Sequence, residues 1–144
     1  MRHLTRMLLV LSAFALFVPA AHAAGMSKKY HVILQWTEAD TTGQWVMTKH
    51  VGNLLDDLGQ DNVQLEVLTY GMATFAVTKG RPQSRMGAEI EALTKRGVVF
   101  HVCHHAMDLL GVKDEELMPT VTPVQGAMWY LTTKQKEGWY TLRP

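Results

Sequence analysis

The stretch that decides the fold reads Gly97-Val98-Val99-Phe100-His101-Val102-Cys103-His104-His105. It is an apolar run of strand length that ends on the only cysteine of the chain. Three of the seven histidines flank that cysteine: His101 before it, and His104 and His105 after it. Because alternate residues of a strand share a face, we expect His101 and Cys103 to point one way and Phe100 and Val102 the other. The stretch therefore predicts a strand that is chemical on one side and packed on the other.

Strands and helices alternate on both sides of this stretch. Apolar or alternating runs predict further strands at residues 30–35, 63–69 and 139–142. Three- and four-residue spacings predict helices that end at residue 58, span 84–96 and 126–137, and run briefly from 104 or 105 to 110. Residues 72–79 fit either a short helix or irregular structure, and 118–124 predict an extended segment. The alternation is typical of a single α/β domain, a mostly parallel sheet with helices on both faces.

In sheets of this kind, ligands gather at the carboxyl ends of the strands. Cys103, His104 and His105 follow the third predicted strand, so we expect Cys103 to be exposed to a partner or substrate. Thiolate formation is favoured at helix N-termini and beside cationic groups, and the following helix and the two histidines supply both. The alternative is that a lone cysteine is simply a small buried hydrophobe.

Several reaction classes lack their sequence signatures. No glycine-rich phosphate loop or dinucleotide fingerprint follows the first strand, so no nucleotide or flavin cofactor is expected. No nucleophile elbow supports a serine hydrolase. A disulfide oxidoreductase needs a second cysteine, and the chain has one.

The residues alone leave two hypotheses for the role of the Cys103 thiol. In the first, Cys103 accepts a sulfane sulfur as a persulfide and hands it to another thiol, which needs one accessible thiolate and no resolving cysteine. In the second, Cys103 joins nearby histidines in a copper(I) or zinc site. The side chains considered for that site are Cys103, His101, His104 and His105, with Met72 or Met107 as further copper ligands.

The first residues predict an export signal rather than part of the domain. Arg2 and Arg6 precede an uncharged apolar run over 7–18, and Ala21-His22-Ala23 is a small-x-small cleavage signal. The apolar run is shorter than the roughly 20 residues that span a bilayer, so we expect cleavage after Ala23 rather than a membrane anchor. The expected location is periplasmic or secreted. The remaining 121 residues carry 12 Lys and Arg against 13 Asp and Glu, which gives no basic surface for nucleic acid.

The order of the elements and a set of short motifs resemble the DsrE/DsrF-like family of small sulfur-relay proteins over residues 29–144. The motifs are Val98 to Cys103, Leu117-Met118-Pro119-Thr120-Val121, Gly126-Ala127, Gly138-Trp139-Tyr140 and Arg143-Pro144. The resemblance implies a flavodoxin-like three-layer fold, homo-oligomers of trimer or hexamer type, and a persulfide on Cys103. The chain departs from the family pattern at His104-His105, where small polar residues are more usual.

These observations together predict an exported sulfur carrier. Cys103 is the predicted persulfide acceptor, and His101, His104 and His105 are predicted to support its thiolate. The expected partners are a sulfur donor and an acceptor, either a protein or a small thiol, together with further copies of the chain. The alternative is an oligomeric binding module without turnover.

Overall fold

The structure is a computed structural model and describes residues 30–144. The predicted export signal at 1–23 and residues 24–29 lie outside the described residues. Five strands form one sheet in the order β4-β3-β2-β1-β5, and every neighbouring pair is parallel. The strands are β1 (Tyr30–Trp36), β2 (Val63–Thr69), β3 (Val99–Cys103), β4 (Val121–Val124) and β5 (Tyr140–Leu142).

Four α-helices connect these strands, as the sequence predicts. They are α1 (Thr41–Leu58), α2 (Gly87–Lys95), α3 (His104–Leu110) and α4 (Ala127–Lys136). Residues 71–77, which the sequence left open, form a 3-10 helix, and a second one covers Asp114–Glu116. The predicted helix over 84–96 begins only at Gly87, and of the predicted extended segment 118–124 only Val121–Val124 pairs as a strand. No helix among residues 30–144 has the length and apolar character needed to cross a membrane.

The two faces of the sheet differ in chemistry. We call one the apolar face, because its strand residues are apolar and packed against α1, α2 and α3. Its buried side chains include Val32, Leu34, Trp36, Leu65, Val67, Phe100 and Val102 from the sheet, and Met47, Val51, Leu55, Ile90, Leu93 and Met107 from the helices. Helices therefore cover both faces, as expected for a three-layer α/β fold, but three of the four lie on this side.

We call the other the mixed face, because apolar and polar side chains alternate across it. Ile33, Leu68 and Cys103 form a smaller core there with Ala127 and Leu131 of α4 and with Trp139. Phe100 and Val102 belong to the core of the apolar face, so the predicted division of β3 into two sides is confirmed. The single cysteine thus lies on the side that only α4 covers.

Each border of the sheet is a short strand. β4 lies beside β3 and contains Pro123, which is paired in register with Val102. β5 is three residues long and lies beside β1. At the other end of β3, Gly97 has a φ of 90°, a left-handed conformation that favours glycine and turns the chain out of α2.

Helix α1 begins with a side-chain cap from Asp40. The Asp40 carboxylate accepts a hydrogen bond from the Gly43 backbone N–H at 3.0 Å, which satisfies one of the unpaired donors of the first turn. Asp40 itself has extended backbone angles, as an N-cap residue should.

We expect Asp40→Ala to lower the free energy of unfolding by about 1 kcal/mol, since the N-terminal donor loses its acceptor. Asp40→Asn is the matched control, because an asparagine oxygen caps a helix about as well as a carboxylate. Urea denaturation of both variants beside the wild type measures the difference. Equal losses in the two variants would contradict a capping role.

Candidate functional site

The Cys103 side chain lies at the end of β3, where the strand passes directly into α3. The residue is only 6% exposed, so the expectation of an exposed cysteine is wrong. The cause is α4, which packs on the mixed face and brings Ala127 against the sulfur. Sequence patterns predict α4 but do not predict which strand it covers.

Among the residues that the structure describes, one hydrogen-bond donor contacts the sulfur, and it comes from α4. The backbone N–H of Ala127 donates to Cys103 Sγ at an N to S distance of 3.3 Å. Ala127 is the first residue of α4, where backbone N–H groups have no partner within the helix and carry the positive end of the helix dipole. The sequence predicts that the following helix favours the thiolate; Cys103 is the N-cap residue of that helix, α3, but its side chain makes no capping hydrogen bond there.

An open groove with a volume of about 360 Å³ gives access to the thiol. Its walls are largely apolar, and the side chains and backbone that line it beside Cys103 are Tyr70, His105, Ala106, Gly126, Ala127, Met128 and Trp129. Met128 and Trp129 are about three-fifths exposed at its rim. Cys103 is therefore buried against α4 but still forms part of a surface that opens to solvent.

The three histidines expected around the thiol lie in three different settings. His105 lines the groove with Cys103, and a β-carbon built on Gly126 would lie 3.0 Å from its Nδ1. His104 contacts Asp108 one turn along α3, with Nδ1 3.2 Å from the carboxylate. His101 points into a separate polar cluster beneath α4. Only His105 shares a surface with the sulfur.

That polar cluster surrounds a buried carboxylate, Glu66, in the middle of β2. Glu66 is 4% exposed, and its carboxylate accepts a hydrogen bond from the Tyr130 hydroxyl at 2.6 Å and one from Lys134 Nζ at 3.0 Å. His101 Nε2 lies 3.6 Å from the same carboxylate and 3.1 Å from the Tyr130 oxygen. The Lys134 ammonium also lies 4.0 Å from the ring centre of Trp139, a cation–π contact.

The cluster keeps Glu66 ionised. Burial alone would raise the pKa of the carboxyl, but the contacts with His101, Tyr130 and Lys134 outweigh it and lower the pKa to about 2. The pKa of the Tyr130 hydroxyl is raised, because of its burial and because its proton is shared with a carboxylate. A buried charge of this kind is stable only while its partners stay in place.

Sequence patterns alone do not single out Glu66, Tyr130 or Lys134 as site residues. The signal present in the sequence is a carboxylate at the centre of an otherwise apolar strand, together with a tyrosine and a lysine four residues apart on one helix face. What joins them is the packing of α4 on β2, which no local pattern specifies.

The structure does not bring Cys103, His101, His104 and His105 together as one set of ligands. Within residues 30–144, no three His, Cys, Asp or Glu side chains come together as ligands for an ion. Met107, one of the two methionines considered as a copper ligand, lies in the core of the apolar face, on the opposite side of the sheet from Cys103.

The end of β1 carries a second polar group. The Thr37 hydroxyl donates to the Glu38 carboxylate at 2.7 Å and helps to lower the pKa of that residue. Arg143 donates to the Thr37 oxygen at 3.0 Å and lies 3.4 Å from Glu38. These residues tie the C-terminal end of the chain to β1.

The fold and the site define a class: a three-layer, flavodoxin-like α/β protein with a single cysteine at the carboxyl end of a central strand. The chain belongs to the DsrE/DsrF/DrsH-like family, whose model matches residues 20–138. Membership of this family suggests a role of the sulfur-relay type. No curated protein matches the sequence.

Solved structures from three organisms share the fold. A protein of unknown function from Methanobacterium thermoautotrophicum, MTH1491, is 26% identical, with a TM-score of 0.73 over 80% of this chain and 99% of that one. The ychN protein from E. coli is 15% identical, with a TM-score of 0.61 over 82% and 100%. The conserved protein of unknown function BT1422 from Bacteroides thetaiotaomicron is 17% identical, with a TM-score of 0.63 over 83% and 98%.

We expect acid to remove the stabilisation that Glu66 provides. Because folding lowers the pKa of Glu66 from 4.5 to about 2, its contribution is complete above about pH 4.5 and is lost as the pH falls towards 2. The shift corresponds to a loss of roughly 3 kcal/mol, at about 1.4 kcal/mol per pKa unit. Denaturant unfolding between pH 7 and pH 2 measures the loss.

The Glu66→Gln variant should be less stable than the wild type at pH 7 and should lose less stability on acidification. Glu91→Gln is the control, since Glu91 is exposed on α2 and its replacement should leave the pH profile unchanged. A Glu66→Gln protein with the wild-type acid profile would show that Glu66 is not the group responsible.

Proposed function

We propose that this protein is an exported sulfur carrier that takes up sulfane sulfur as a persulfide on Cys103 and passes it to a partner thiol. One observation carries the proposal: the Cys103 sulfur borders an open apolar groove while accepting the Ala127 N–H, in a chain of a family linked to sulfur relay. A backbone donor at a helix start favours the thiolate, which is the nucleophilic form of cysteine.

The proposed step needs no oxidant or reductant. The Cys103 thiolate attacks the outer sulfur of a donor persulfide, R–S–SH, and a new S–S bond forms as the donor S–S bond breaks. The donor leaves as its thiolate, which takes up a proton from solvent. Transfer to an acceptor thiol repeats the same exchange in the opposite direction, so the oxidation state of the pair does not change.

Among the three histidines first considered, we assign the thiolate-supporting role to His105. It lines the groove with Cys103, whereas His104 is paired with Asp108 and His101 with the Glu66 cluster. A histidine side chain beside a cysteine is one of the groups that favour its thiolate.

Export and self-association are parts of the same proposal. The basic start, apolar run and cleavage signal of residues 1–23 support export to the periplasm or the medium. Large apolar side chains exposed on the single chain support association into a homo-oligomer. They include Trp45, Leu109, Met128 and Trp129, with Leu109 86% exposed.

A binding module without turnover is the second candidate. The low exposure of Cys103 favours this candidate, because a thiol that sulfur donors do not reach through the groove stays unmodified. The two candidates differ in one measurable property, the uptake of sulfur by the intact protein.

We expect the protein without residues 1–23 to gain about 32 Da, the mass of one sulfur atom, when it is incubated with a persulfide donor. Intact-mass spectrometry measures the gain, and a thiol reductant should reverse it. Cys103→Ser is the matched control and should show no gain. A wild type that stays unmodified with every donor class would favour the binding module, and a gain in Cys103→Ser would exclude Cys103 as the acceptor.

We also expect the same protein to sediment as a species larger than one chain at micromolar concentration, since burial of the exposed aromatic and aliphatic side chains favours association. Sedimentation velocity at several concentrations measures it. A single monomeric boundary throughout would contradict self-association.

A further inference from the structure

The helix that contacts the thiol is the same helix that contacts Glu66. Ala127, Tyr130 and Lys134 are spaced by three and four residues, which places them on one face of α4. The first of them donates its N–H to Cys103 Sγ, and the other two donate to the Glu66 carboxylate. Helix α4 therefore contacts both the thiol, through the Ala127 backbone N–H, and the buried Glu66 carboxylate, through the Tyr130 and Lys134 side chains.

Apolar packing alone does not fix where α4 lies along its own axis. Ala127 and Leu131 pack on the small core of the mixed face, but hydrophobic contact has no preferred direction and tolerates sliding. The hydrogen bonds to Glu66 are directional, short and charge-assisted. They resist a displacement of α4 along the strands, together with the Tyr130–His101 contact and the hydrogen bond from Gln135 Nε2 to the Thr141 hydroxyl of β5 at 2.6 Å.

The cluster also includes the strand that carries the cysteine. His101 precedes Cys103 by two residues on β3, about 6.6 Å along the strand, and its Nε2 contacts the Tyr130 oxygen. Its other ring nitrogen, Nδ1, is buried and has no hydrogen-bond partner among residues 30–144. The Glu66 cluster thus ties α4 to β2 and to β3 at once.

We propose that Glu66 is a positioning residue for the thiol: its contacts with Tyr130 and Lys134 hold α4 in the register that keeps the Ala127 N–H on the Cys103 sulfur. The inference rests on the proposed function only in that Cys103 is the reactive group. Glu66 does not touch the sulfur, and its effect on the thiol passes through the helix.

The sign of the effect distinguishes this route from a direct one. Weakening the Ala127 contact removes a donor that favours the thiolate, so alkylation of Cys103 should need a higher pH. The negative charge of Glu66, acting through space, opposes the thiolate. Its removal by that route should therefore move alkylation to lower pH.

The test follows the alkylation rate of Cys103 with iodoacetamide against pH in the folded protein. Glu66→Gln and Tyr130→Phe should each move the midpoint of the profile to higher pH, by roughly half a unit to one unit. Tyr130→Phe removes one hydrogen bond to the carboxylate without changing a charge, and it keeps the proposal testable if Glu66→Gln does not fold.

One further variant calibrates the result. Ile90→Ala lowers stability from the apolar face and should leave the midpoint in place.

Three results would overturn the proposal: a lower midpoint in Glu66→Gln, an unchanged midpoint in Tyr130→Phe, or an equal shift in Ile90→Ala. The measurement needs no sulfur donor. Positioning by Glu66 can therefore fail while Cys103 still gains sulfur, and sulfur uptake can fail while the alkylation profile still responds to Glu66.

Discussion

A carboxylate buried in the middle of a sheet determines how the mixed face is arranged. Glu66 stays charged because three groups contact it: His101 of β3, and the Tyr130 hydroxyl and Lys134 ammonium of α4. An unpaired buried charge costs several kcal/mol, so the helix cannot leave this face without a large loss of stability. The burial of Cys103 and its contact with the start of α4 follow from the same placement.

The apolar and mixed faces of the sheet are covered by different kinds of contact. The apolar face is covered by three helices and packs by shape, with Phe100, Trp36 and Ile90 fully buried. The mixed face has one helix and polar residues on β1, β2 and β3, among them His31, Glu66 and His101. Specific hydrogen bonds replace part of the hydrophobic contact there, and the single cysteine lies on this side.

Local sequence patterns predict more of the fold than of the candidate site. The apolar run from Val98 to Val102 and the glycines that bound the helices predict the strands, their alternation and the division of β3 into two sides. The surroundings of Cys103 depend instead on where α4 packs, a contact between residues 24 positions apart. For the same reason adjacency misled: His104 follows Cys103 in sequence but turns to Asp108, since a helix directs successive side chains around its axis.

The borders of the sheet bear on how copies of this chain meet. Proline at position 123 removes a main-chain donor from one edge strand, and the other edge is only three residues long. Unpaired edges are templates for strand addition, and short or proline-bearing ones discourage it. Continuous growth of the sheet from molecule to molecule is thereby disfavoured, and any assembly of this protein is directed to the surfaces of its helices and loops.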